Sequence, residues 1–197
     1  MTPELDPGTA KRALRARYLA VRRSRPPAER EAAAAAVTAA LVEGLAGVRT
    51  LAAHVPDELE PGHGRLRDGL GRLGARVLLP VVPPEGGELA WAVDVGRLAP
   101  GRFGLLEPVG PRLAPGELAT AEAVVVPALA VSRGGVRLGR GAGYYDRALR
   151  HTRPGTTLVA VLFDDELVDA LPGEPHDHRV TAVVTPSGGW LDLPPDR

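Results

Sequence analysis

Four short and almost wholly apolar runs, Thr50–Val55, Arg76–Val82, Ala123–Ala128 and Thr157–Phe163, constrain this chain more than any other feature. A strand that is apolar at nearly every position, rather than at every second one, is buried on both faces of its sheet. Helical stretches alternate with these runs. Lys11–Arg23 carries Leu14, Tyr18 and Val21 along one face, and Lys11 and Arg15, four apart, share a neighbouring one. Pro26-Pro27 opens a second helix over 28–45, with Val37, Leu41 and Leu45 spaced four apart. Arg65–Leu73, Gly143–Arg150 and Asp165–Leu171 read as shorter helices, Leu89–Val95 as a further strand and Thr181–Thr185 as the last. The Pro/Gly-rich segment Leu98–Gly116 carries no clear element and is long for a plain connection, as functional loops often are. The pattern predicts an α/β fold with a mixed, largely parallel sheet between helical layers, in one domain over residues 1–197.

Length and composition narrow the function. A chain of 197 residues needs no disulfide or metal to build a core. The absence of cysteine removes thiolate nucleophiles and Cys-ligated zinc. Zero formal charge gives no global steering toward nucleic acid or anionic membrane. The Arg-rich stretch 11–25 lacks interleaved aromatics, so no nucleic-acid partner is expected. Glu4 and Asp6 precede that stretch, unlike a transit peptide. Ala32–Val42 is too short to span a membrane, and a soluble cytoplasmic protein is expected. Of the 24 basic residues only Lys11 is lysine. A compact ammonium is hard to replace beside phosphate, although chance alone also places one lysine somewhere.

The strongest local motif is Arg137-Leu-Gly-Arg-Gly-Ala-Gly-Tyr-Tyr-Asp146. Alternating Gly139, Gly141 and Gly143 permit positive φ and close backbone approach, so successive N–H groups can surround an anion. Arg137 and Arg140 add guanidinium contacts, Tyr144 offers a stacking face, and Asp146 suits magnesium or supports the helix dipole. Asp57-Glu58-Leu59-Glu60 follows the first strand, where open α/β sheets bind ligands; as an acidic cluster it also reads as plain solvated surface. Other patterns fail on context. Gly69-Leu-Gly-Arg-Leu-Gly74 matches a dinucleotide fingerprint but lies between helix and strand in the wrong order. No glycine loop precedes Lys11, so there is no Walker A lysine. Ser132 lacks the immediate helix of a nucleophile elbow. His176-x-His178 reads as solvated loop rather than a metal site.

Val126–Ala130 and Gly135–Arg147 together resemble the signature of the 5-formyltetrahydrofolate cyclo-ligase family, the methenyltetrahydrofolate synthetases. The likeness runs over nearly the whole chain. Lys11-x-x-x-Arg15 is similar to the family's N-terminal ATP-binding pair, and Asp57–Glu60 to its acidic substrate-binding segment. Phe103-Gly-Leu-Leu-Glu107-Pro108 resembles its aromatic Gly-Ile-x-Glu-Pro stretch, and Leu171-Pro…His176-Asp177 its metal-linked C-terminal segment. The resemblance implies a three-layer α/β sandwich of the CoA-transferase-like kind; a monomer is expected. It implies conversion of 5-formyltetrahydrofolate and ATP to 5,10-methenyltetrahydrofolate, ADP and phosphate, with Mg2+. On it, the ATP site comprises Lys11 and Arg15 of the basic N-terminal helix (1–25) with Arg137, Leu138, Gly139, Arg140, Gly141, Ala142, Gly143, Tyr144 and Tyr145. Lys11, Arg140 and Tyr144 are then catalytic; Ala53, Glu58, Phe103, Arg140 and Tyr144 meet the folate; Asp146 and Asp177 hold the metal. The chain departs from the family at Val131-Ser132, where Phe-Asp is usual, at Ala142, where some members carry lysine, and at Thr181, where an acid is common. The loss of Asp at 132 motivates a second reading, a folate- or nucleotide-binding relative without turnover.

Overall fold

The computed structural model describes residues 7–84, 87–173 and 178–194. Two long helices come first, α1 (Pro7–Ser24) and α2 (Pro27–Gly44), with Pro27 in the first turn of α2 where its missing N–H costs nothing. Strand β1 (Thr50–Ala53), helix α3 (Leu66–Gly71), and strands β2 (Arg76–Val81) and β3 (Ala90–Val93) follow. A small hairpin, β4 (Leu98–Pro100) and β5 (Leu106–Pro108), precedes β6 (Ala123–Val126), and β7 (Ala130–Ser132) and β8 (Arg137–Leu138) form another. The chain continues through α4 (Tyr144–Ala148), β9 (Thr157–Val161), β10 (Leu167–Val168), β11 (Ala182–Thr185) and β12 (Gly189–Asp192).

Seven strands form the central sheet in the order β12-β11-β9-β6-β1-β2-β3. The five inner strands run parallel, and an antiparallel strand closes each edge. Apolar character at successive positions is explained by burial on both faces. Leu51, Ala53, Val77, Leu79, Val125 and Val159 pack toward Val37 and Leu41 of α2, Leu45 directly after it, and Leu66 and Leu70 of α3. Ala52, Leu78, Val124, Val126 and Ala160 pack the other way, against Trp91, Leu118, Ala148 and Leu149. The α/β sandwich expected from the sequence is therefore present. Close approach is required where α2 ends, since a Cβ at Gly44 would stand 2.2 Å from Cε3 of Trp190 on β12.

A smaller sheet, β10-β7-β8, carries the third cluster of apolar contacts. Tyr18 of α1, with Leu14 and Leu19, packs there on Leu129, Ala130 and Leu138. Arg22, four residues after Tyr18, is fully buried. Its Nε and Nη2 donate to both oxygens of Glu166 at 2.7 and 2.8 Å, and Nη2 also donates to the Ala128 carbonyl at 2.6 Å. Glu166 in turn accepts the Phe163 N–H at 2.9 Å.

Three expectations are corrected. Asp165–Leu171 is not a helix: a single 3-10 turn over Asp164–Glu166 leads into β10, whose Leu167 and Val168 pair with β7. Leu98–Gly116 is not without structure, since it holds β4, β5 and a short 3-10 turn. Thr181–Thr185 is not the last strand, because β12 pairs antiparallel beyond it.

Candidate active site

Strand order reverses beside β1: β2 and β3 lie on one side of it, and β6, β9 and β11 on the other. In an open α/β sheet such a switch leaves a crevice beyond the carboxyl ends of the strands. A cavity of about 360 Å3 occupies that position here, within the size range of small-molecule sites. His54, Asp57 and Glu60 line it after β1, Pro80 and Val82 near the end of β2, and Pro127 and Ala128 after β6. Phe103, Leu105 and Leu106 of the β4–β5 hairpin and the glycine loop from Gly139 to Gly143 complete the wall. A larger, more open hollow lies at the opposite ends of the strands, around Arg49, Glu122 and Arg153, and gathers none of the motif residues.

The glycine loop is held from both sides. The β7–β8 hairpin leads into it, and Ser132 fixes the hairpin's turn: its Oγ accepts the Val136 N–H at 3.1 Å and its N–H donates to the Val136 carbonyl at 2.9 Å. Ser132 is buried by this role, which excludes it as an exposed nucleophile. From α1, Arg15 Nε donates to the Gly139 carbonyl at 2.9 Å. Gly141 (φ 100°) and Gly143 (φ 70°) both have positive φ, which side chains resist. At Gly141 a Cβ would also stand 3.2 Å from the Arg15 guanidinium carbon. Helix α4 begins directly after Gly143 and is only five residues long.

Charge around the cavity is paired. Arg137 is nearly buried, pairs with Asp146 Oδ1 and reaches the Pro127 carbonyl at 3.2 Å. Arg140 pairs with Asp57 Oδ2 and stands 3.3 Å from Glu60 Oε1. Glu60 Oε2 accepts the Asp57 N–H at 3.1 Å and lies 3.6 Å from His54 Nε2, while His54 Nδ1 faces the Val125 carbonyl at 3.3 Å. Burial pushes the Tyr145 phenol above its ordinary range, with the Glu60 charge adding to the shift and Arg137 opposing it, so it stays neutral. Its hydroxyl is buried with no hydrogen-bond partner among the described residues. Phe103 is 71% exposed at the hairpin tip and has φ 58°, the only non-glycine residue with positive φ among the described ones.

The fold thus gathers Arg137, Gly139, Arg140, Gly141, Ala142, Gly143, Tyr144, Tyr145, Asp146 and Phe103 on one cavity. Arg15 reaches the loop from behind, and Lys11 lies one turn earlier on α1. Leu138 is buried under the loop, and Ala53 is buried in β1 one residue before His54. Glu58 is exposed and is not part of the wall; its neighbours Asp57 and Glu60 are. Asp177 and His176 lie outside the described residues. Among the described residues no three His, Asp or Glu side chains converge on a metal position, and no helix is long and apolar enough to cross a membrane. Sequence reasoning missed His54, and from the hairpin motif it singled out Phe103 without Leu105 and Leu106, which line the cavity beside it.

Comparison with known proteins gives the same direction. The model of the 5-formyltetrahydrofolate cyclo-ligase family matches residues 7–186. A 5-formyltetrahydrofolate cyclo-ligase of Mycolicibacterium smegmatis is 44% identical over 189 residues, covering 93% of this chain and 97% of that protein. The enzyme of the same name from Escherichia coli K12 is 35% identical over 129 residues, 64% of this chain and 71% of that one. The solved structure of Aquifex aeolicus 5,10-methenyltetrahydrofolate synthetase superposes with a TM-score of 0.73 at 26% identity, covering 95% of this chain and 94% of that one. With the signature loop on the switch-point cavity and a family match over most of its length, this chain belongs to the 5-formyltetrahydrofolate cyclo-ligase family.

Proposed function

We propose that the chain, as one cyclo-ligase domain, uses ATP and Mg2+ to close 5-formyltetrahydrofolate to 5,10-methenyltetrahydrofolate. The observation that carries this reading is the glycine loop itself, tied to α1 through Arg15 and set on the same cavity as Phe103, Tyr144 and the carboxylates of Asp57, Glu60, Glu107 and Asp146.

A formamide oxygen is a poor leaving group. Its attack on the γ-phosphorus, with ADP departing, turns it into a phosphate ester on an iminium carbon. N10 then attacks that carbon, phosphate leaves with the oxygen, and N10 loses its proton. No covalent enzyme intermediate is needed, in keeping with a chain that lacks cysteine and buries Ser132. The demands on the protein are charge neutralisation, alignment and exclusion of water. Lys11, Arg15, Arg137 and Arg140 supply positive charge around the loop, whose N–H groups take phosphate oxygens. Phe103 and Tyr144 pack on the folate rings from two sides of the cavity. Asp146 keeps an oxygen not engaged by Arg137, and one carboxylate with phosphate oxygens and water is an ordinary magnesium donor set. When bound, the metal would neutralise phosphate charge. Ser132, standing where the family usually has Asp, ties the β7–β8 turn through its Oγ.

Mixing the protein with 5-formyltetrahydrofolate and Mg2+, with and without ATP, and following near-ultraviolet absorbance tests this. An ATP-dependent rise is expected, and Lys11→Ala is expected to lower kcat/KM for ATP about 100-fold while the melting temperature holds. A flat wild-type trace, or wild-type efficiency in Lys11→Ala, would overturn the reading or the lysine's role in it.

A further inference from the structure

Arg140 is the one cation of the glycine loop that reaches across the cavity. Its guanidinium meets Asp57 and Glu60, which come from the turn after β1, on the opposite side of the switch point. The two carboxylates are held differently. Glu60 is only 9% exposed; one oxygen accepts the Asp57 N–H and faces His54, so the group is fixed from behind. Asp57 is 27% exposed, and while its Oδ1 accepts the Leu59 N–H at 2.9 Å, its Oδ2 serves Arg140. Arg140 itself is 43% exposed and stands between Gly139 and Gly141, so it can turn off Asp57 without breaking packing.

This arrangement sets the two ligands' chemistries against one pair. A triphosphate arriving on the loop needs Arg140 and meets the negative charges of Asp57 and Glu60 instead. A reduced pterin, rich in N–H donors, needs carboxylate lone pairs and meets Oδ2 already aimed at a guanidinium. Whichever ligand binds first releases the group that the other requires. We propose that Asp57 is a positioning residue acting through Arg140: it holds the guanidinium while the cavity is empty and surrenders it when folate binds, so that the two substrates bind cooperatively by exchanging partners of this ion pair. The inference rests on the cyclo-ligase reading and adds an energetic link between its two substrates. Such a link is reciprocal, each ligand tightening the other by the same factor. For a partly exposed pair that factor is about 3- to 10-fold.

The probes are Mg2+ with a non-hydrolysable ATP analogue bridged by nitrogen between the β and γ phosphorus, and 5-formyltetrahydrofolate, titrated by calorimetry. In the wild type, saturating 5-formyltetrahydrofolate is expected to tighten the nucleotide about 3- to 10-fold. Asp57→Asn keeps an acceptor for Leu59 and removes the charge. It is expected to bind the nucleotide alone tighter than wild type by a similar factor, with folate then adding less than about twofold. Arg140→Gln is expected to lose the coupling too, but with weaker nucleotide binding. A merely structural Asp57 would instead weaken both ligands and lower the melting temperature. Independent binding of both ligands to the wild type overturns the proposal, as does full coupling in Asp57→Asn. Failure of the wild type to bind either probe overturns the cyclo-ligase reading itself, a different result from binding without coupling.

Discussion

Replacing Arg22 by Met removes a guanidinium that is fully buried and makes three hydrogen bonds, two to Glu166 and one to the Ala128 carbonyl. What remains is a carboxylate with 1% exposure whose other donor is the Phe163 N–H, and a carbonyl that has lost its side-chain partner. Breaking such a pair from one side costs about 3–5 kcal/mol. Protonation sets a ceiling on the carboxylate's share. Burial already pushes Glu166 above its ordinary value, against the hydrogen bond and charge of Arg22, and without Arg22 that push is far less opposed. Taking up a proton at pH 7 costs about 1.4 kcal/mol for each unit above an ordinary glutamate pKa of about 4.3, or about 3.7 kcal/mol. Losing the carbonyl's partner adds about 1 kcal/mol.

The sign of the pH dependence follows. In Arg22→Met the folded state binds a proton that the unfolded state has released, so stability falls as pH rises above the unfolded pKa. The deficit relative to wild type is therefore expected to shrink between pH 7 and pH 5 by at most about 2–3 kcal/mol, because the raised Glu166 of the wild type carries part of the same slope. Glu166→Gln strands the guanidinium instead, which cannot shed its proton, so its deficit does not shrink toward pH 5. Adding Arg22→Met to Glu166→Gln recovers part of the loss, because no buried charge is left. Urea unfolding at the two pH values measures all of this. A cost below about 1 kcal/mol for Arg22→Met at pH 7, or a deficit equal at pH 5 and pH 7, would refute the reasoning.

Other consequences are as direct. Burial raises the Asp94 carboxyl, but the Arg67 hydrogen bond, the Gly96 N–H and the Arg67 charge outweigh it and hold the pKa below its ordinary value. The pair therefore stabilises the fold above the ordinary carboxylate range and loses its effect as pH falls below about 4. Asp94→Asn is expected to cost roughly 1 kcal/mol at pH 7 and progressively less as pH falls below about 4, by thermal or urea unfolding. Gly44→Ala drives a methyl into Trp190 and is expected to cost about 1–3 kcal/mol, where a helical glycine with open space beside it would gain from the same change. Phe103→Asn suits the left-handed backbone and removes an exposed ring; an unchanged melting temperature with KM for 5-formyltetrahydrofolate raised about tenfold is expected, and an unchanged KM would remove Phe103 from the site.

The legible parts of this protein are those whose cause is local. The apolar runs that became β1, β2, β6 and β9 announced double burial by composition alone, and the Pro26-Pro27 break set the start of α2. The glycine loop was readable because positive φ at Gly141 and Gly143 is a demand on single residues. Misreadings came where pairing partners are distant. The acidic and apolar spacing of Asp165–Leu171 imitates a helix, yet Leu167 and Val168 gain more by extending β7, 36 residues earlier in sequence. Strand β12 is four residues long and exposed in its second half, so nothing in its sequence announces it; β11 creates it by offering an edge. The acidic segment Asp57–Glu60 was visible as a cluster, but which carboxylates face the cavity depended on the turn that closes from Glu60 N–H to the Asp57 carbonyl. Arg22 shows the division most clearly. Its sequence marks it as one more basic residue of an Arg-rich helix, while its burial depends on Glu166, 144 residues away, and on the carbonyl that β6 delivers at Ala128. Sequence alone determines which groups a segment offers; long-range strand order determines which of them lose water together, and that loss is what turns a charge into a structural pair or a binding site.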